Sequence, residues 1–260
     1  MDQTYCQNQG NVYKTYHKTG TKNTIYKTPD KFSISAVGIQ AINGNSFVSF
    51  LDNTKTFEMM KFMVQIVIKN IENIELKLKL KEIIYNEELF LENILNTVNK
   101  PENYNILLKT LKDLSNTNKS IRKLYEYVER NEGTIHTISK QRLENLQKTM
   151  FLAYFNDKKL QHQLIMEKPL AVILDNYSVH HAIVFTRLCN ILNLDLIFLP
   201  PYSPKYNPIE QVWRTVKRPL SIKNIKSLEE LIKYFKNEFY EVVDRPSFWK
   251  GWVRNVLWGF

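Results

Sequence analysis

The sequence predicts an α/β fold, a mixed five-stranded sheet with flanking helices and a large helical insertion. Three observations carry that expectation. Residues 1–53 are β-prone and broken by turn signals, residues 72–167 carry Leu, Ile, Lys, Glu and Asn at helical spacing, and residues 170–218 run strand, helix, strand, Pro-rich loop, helix. Antiparallel strands followed by a β-α-β-α run belong in one mixed sheet. The expected division is therefore 1–71 and 168–260 as two parts of one sheet domain, with 72–167 inserted between them.

The elements follow in order. Residues 12–16 and 24–27 are β-prone and flank the turn signal Thr19-Gly20-Thr21-Lys22. Residues 33–42 and 47–51 flank Asn43-Gly44, the strongest short hairpin cue in the chain. From Thr56 to about Ile71, the apolar residues Phe57, Met60, Phe62, Met63, Ile66 and Val67 describe a crossover helix packed on the sheet. In the insertion, Ile106, Leu107, Leu111 and Leu114, then Ile121, Leu124, Tyr125 and Val128, keep helical spacing. Breaks fall at residues 99–101, 115–118 and 131–133. Leu76, Leu78 and Leu80 alternate like a strand, but the good helix formers around them favour helix.

Residues 170–174 (Leu-Ala-Val-Ile-Leu) are a strand that stops at Asp175-Asn176, and a helix is expected after Ser178. A second strand, 194–199, leads into Pro200-Pro201-Tyr202-Ser203-Pro204. Asn207-Pro208-Ile209-Glu210 is a good helix start in its own right: Asn207 can cap, Pro208 suits the first position, and Glu210 can reach back to the cap amide. Residues 227–232 form a capping-box start to a last helix, and Trp249, Trp252 and Trp258 near the end read as core.

Composition limits the classes open to the chain. Its 260 residues can bury a full core. No apolar stretch is long enough to span a bilayer, and the first residues lack a signal pattern. Cys6 and Cys189 supply neither a disulfide framework nor a metal cage, so a reducing, cytoplasmic, nucleoid-associated setting is expected. The net charge of +10, from 36 Lys plus Arg against 26 Asp plus Glu, suits a phosphate-backbone binder.

The chemistry concentrates at Asp175 and Glu210, which 34 residues separate. Acids at the end of a strand and on the first turn of a later helix face the crevice where open α/β sheets place ligands. The segment from Leu199 to Glu210, together with Asp175, Asn176 and His180, resembles the DDE transposases of the mariner superfamily, in particular their bacterial and archaeal insertion-sequence branch. The resemblance implies a ribonuclease-H-like fold and matches the family's L-P-P-Y-S-P-x-x-N-P-I-E motif position for position. Between residues 72 and 167 it lapses.

By that resemblance Asp175 and Glu210 are two of three catalytic acids. Asp2 inherits the role of the first by position, with Gln3 where Glu is usual. Asp52, in Leu51-Asp52-Asn53, is the rival and reads as a turn residue. The half-strand that should precede the first acid, and the helix-turn-helix region of many relatives, are not in the sequence, which suggests one frame of a two-frame element or a truncation. The implied activity is DNA cleavage at element ends and strand transfer to target DNA by a homodimer. Two Mg²⁺ or Mn²⁺ ions would be held by Asp2, Asp175 and Glu210, because hard oxygen ligands suit those cations and unpaired neighbouring acids repel. Lys205, Arg214, Lys217 and Arg218 stand where a DNA backbone would run, or else form a solvated face. His180 either meets a DNA phosphate or packs at its helix start.

Overall fold

The computed structural model describes residues 1–8, 30–98, 108–109, 111–112, 122, 125–126, 129–130, 140–201, 203–221, 223–247 and 250. Contacts divide them into two compact units. One comprises 1–58, 171–178 and 196–260, and the other 59–170 and 179–195. The second unit takes in most of the crossover helix and the helix after Asp175, both of which the sequence reading assigned to the sheet domain.

In the first unit, β1 (Asp2–Gln7), β2 (Ser33–Ile39) and β3 (Phe47–Leu51) form an antiparallel sheet in that order. Asp2 pairs with Gly38 and Ile39 with Phe47. The Asn43-Gly44 cue marks this connection, but as part of a loop over 40–46 rather than a two-residue hairpin. Ala41 N–H there bonds Ser46 Oγ at 3.1 Å, and Gly44 takes φ 149°, a value open to glycine.

β4 (Leu170–Leu174) and β5 (Leu194–Phe198) make a separate two-stranded sheet. Leu170 N–H bonds Asn193 C=O at 3.3 Å and Leu199 N–H bonds Leu174 C=O at 2.9 Å, the spacing of strands running the same way. A continuous five-stranded sheet is therefore not formed among the described residues. The Met1 ammonium donates to Ile173 C=O at 2.6 Å, so β1 and β4 are joined there by a single bond and not by a ladder.

Helices α6 (Pro208–Lys217) and α7 (Leu228–Val242) pack on the antiparallel sheet, α6 against β1 and α7 against β2 and β3. α6 turns Ile209, Val212, Trp213 and Val216 inward, at the spacing of one helical face. Trp213 stacks on Phe239 at 5.4 Å and lies 5.8 Å from Phe235, while Phe50 meets Phe235 edge-on at 5.9 Å. α7 is capped by Ser227 at the expected place, Glu230 N–H bonding Ser227 Oγ at 3.1 Å, but Glu230 Oε2 accepts from Lys226 N–H at 2.8 Å, one residue before the amide a capping box would serve.

The second unit is helical. It contains all but the first turn of α1 (Thr56–Asn70), then α2 (Ile74–Val98), α3 (Lys140–Tyr154), α4 (Lys158–Met166) and α5 (Ile183–Ile191). The Leu76-Leu78-Leu80 segment lies inside α2, with Leu76 and Leu80 buried at i and i+4. Asp157 caps α4 through Lys159 N–H at 2.8 Å and pairs with Lys79 at 2.8 Å. The strands expected at 12–16 and 24–27, the three breaks of the insertion, most of its spaced apolar residues, Tyr202 and the terminal tryptophans lie outside the described residues.

Candidate active site

Three elements of the first unit deliver one acid each. Asp2 opens β1, Asp175 directly follows the last residue of β4, and Glu210 is the third residue of α6. All three line one cleft of about 380 Å³, together with Asn176, Tyr177, Asn207 and the loop residues Leu199, Pro200, Pro201, Ser203 and Pro204. Asp175 and Glu210 are half-buried and Asp2 is 5% exposed. Asp52 is exposed beyond the end of β3 and does not line the cleft.

The electrostatics reflect that convergence. Burial, then the negative charge of Glu210 and more weakly that of Asp175, pushes the Asp2 carboxyl from 3.8 up to about 7, against a backbone hydrogen bond from Gln3. Asp2 Oδ2 is buried with no hydrogen-bond partner. An orphaned carboxylate oxygen facing two further acids is a poor resting place for an anion and a good one for a hard divalent cation. Among the described residues no three His, Cys, Asp or Glu side chains close on a single ion.

The start of α6 departs from the expected cap. Asn207 N–H bonds Pro204 C=O and Glu210 N–H bonds the Asn207 backbone C=O, at 3.0 and 3.1 Å. Both amides that a capping box would serve are thereby satisfied by backbone, and the Asn207 side chain makes no cap bond. Asn207 and Glu210 instead present their side chains to the cleft. Asn207 is the site residue that sequence reasoning gave a capping role, and its position beside Pro208 supplied no signal to the contrary.

The basic candidates are placed as follows. Lys205 is exposed in the short 3₁₀ turn Pro204–Tyr206, its ammonium 4.9 Å from the Tyr206 ring centre. Arg214 and Arg218 are exposed, and Lys217 is half-buried near Cys6, whose thiol burial pushes up to about 12 with Lys217 opposing. The sequence reads His180 either as a phosphate contact or as packing at its helix start. It lies in the 3₁₀ turn Ser178–His181, fully buried, with its ring 5.4 Å from that of Phe185. The α-helix expected directly after Ser178 begins only at Ile183, with Ala182 in extended backbone before it.

Residues 109–232 match the family model of the DDE superfamily endonuclease, a span that contains Asp175 and Glu210 and lies beyond Asp2. The match starts inside the segment expected to be an insertion, so the likeness to that family extends further back than the motif alone indicated. A 59-residue stretch is 36% identical to the uncharacterized protein y4pE/y4sA of Sinorhizobium fredii (strain NBRC 101917 / NGR234), covering 22% of this chain and 42% of that protein. The chain thus spans less than half the length of that curated relative. No solved structure matches. No helix among the described residues is long and apolar enough to cross a membrane.

Proposed function

We propose that this chain is the catalytic part of a DDE transposase of the mariner superfamily, insertion-sequence branch, cleaving DNA at element ends and joining the 3′-hydroxyls to target DNA. The observation that carries the proposal is the lining of one cleft by acids from β1, the end of β4 and the start of α6, two of them within the endonuclease match. Asp2, Asp175 and Glu210 would hold two Mg²⁺ or Mn²⁺ ions, Asp175 serving both. When bound, such ions polarise the scissile phosphate, ready water or a 3′-hydroxyl for in-line attack and offset charge on the leaving oxygen.

The chain's own groups then orient and exclude. The Pro-rich loop walls the cleft with apolar rings, and Arg214, Lys217, Arg218 and Lys205 offer charge to the DNA backbone. His180, being buried, is left out of that set. A homodimer working on paired ends, a separate helix-turn-helix region, and residues 72–167 as an insertion into the sheet domain complete the proposal.

The test is Mg²⁺-dependent nicking of element-end DNA. Asp175→Ala and Glu210→Ala are expected to lower nicking by at least 100-fold, on the scale of losing a main electrostatic contributor to catalysis. Nicking that survives either change would sink the mechanism. Hydrolysis with no strand transfer in any condition would instead assign the site to a ribonuclease-H-like nuclease.

A further inference from the structure

We infer that Asn207 is a fourth oxygen donor of the acidic cleft, offering its side-chain carbonyl to the cation site, either directly or through a bound water. This rests on the metal-binding reading proposed above. Asparagine before a helix ordinarily spends its side chain on capping. Here the backbone has taken over that work at both amides, and the carboxamide is released from it. The residue is nonetheless 4% exposed, it lines the cleft, and its Oδ1 is buried with no hydrogen-bond partner.

A buried acceptor left unsatisfied is unfavourable, and neighbours in the same cleft explain what would satisfy it. With a cation in the cleft, Asp2, Asp175 and Glu210 would be ionised acceptors that cannot donate to Oδ1. A divalent cation can take the Oδ1 lone pair, and water bound to one can donate to it. Amide carbonyls are ordinary ligands of hard cations, and a neutral one adds coordination without adding to the repulsion among three acids. Pro208 reinforces the placement, because the residue before a proline is held out of the helical region; Asn207 sits at φ −103°, ψ 103°.

The experiment is Mn²⁺ binding to the full chain without DNA, read by electron paramagnetic resonance, with thermal unfolding in EDTA as the check on fold. Asn207→Ala is expected to bind Mn²⁺ about 10- to 100-fold more weakly, the usual effect of losing a group that supports a metal site. Asn207→Asp, of nearly the same shape, is expected to bind Mn²⁺ at least as tightly as the parent. Wild-type affinity in Asn207→Ala, or weakened affinity in Asn207→Asp, overturns the inference. The aspartate variant decides alone if the alanine variant fails to fold. Asp175→Asn separates the two levels: if it leaves Mn²⁺ binding unchanged, the metal-binding reading itself fails, whereas loss there with no effect at Asn207 removes only the present inference.

Discussion

The Asp2 carboxyl keeps its proton to about pH 7, where an exposed aspartate gives it up near 3.8. Through this group the folded chain binds more protons than the unfolded chain between those values, so its contribution to stability falls as pH rises through that window, while the buried Met1 ammonium, pushed down from 8.0 to about 6, acts in the opposite sense above pH 6. The full Asp2 effect is on the order of 4 kcal/mol. Denaturant unfolding of the metal-free protein from pH 4 to 6 should show this decline, and Asp2→Asn should flatten it. A second residue-scale prediction concerns Gly38, the ladder partner of Asp2. A methyl group there would meet the Trp213 ring, its Cζ2 at only 2.8 Å. Gly38→Ala should lower stability by roughly 1–3 kcal/mol, the usual penalty of overpacking. Combining it with Trp213→Leu should give less than the sum of the two single effects.

At the scale of elements, α6 links core to cleft. Its inner face carries Trp213 against Phe235 and Phe239, and its first turn carries Glu210 to the acids. Trp213→Ala should cost roughly 3–5 kcal/mol in an unfolding measurement. Ser227→Ala, which removes the α7 cap, should cost about 1 kcal/mol. Much of this layer was legible in the sequence, because periodicity and capping are local: α1, α6, α7, β3 and β4 all fall near where the pattern put them. Two features were not legible. Whether Asn207 caps depends on which backbone groups are already bonded around Pro204, a three-dimensional fact. Whether β1 and β4 form a ladder depends on pairing between segments more than 160 residues apart, which no local pattern reports.

For the whole molecule, charge and chain order matter most. A net charge of +10 predicts, under the proposed function, DNA binding that weakens steeply with salt. Under the proposed function, Arg214→Ala and Arg218→Ala should each weaken binding across sequences and reduce the salt slope by about 1, leaving Mn²⁺ affinity unchanged. Filter binding between 50 and 300 mM salt would measure it.

The cleft unit is assembled from three separate stretches of chain, 1–58, 171–178 and 196–260, and its acids sit at positions 2, 175 and 210. A ribosome adding about 5–20 residues per second makes Asp2 on the order of ten to forty seconds before Glu210. A polypeptide not yet extended past Glu210 therefore cannot present all three acids, however well its early strands have folded. For a protein proposed to cut DNA, competence that waits for the last of three distant acids to be made is a safeguard written into the order of the gene.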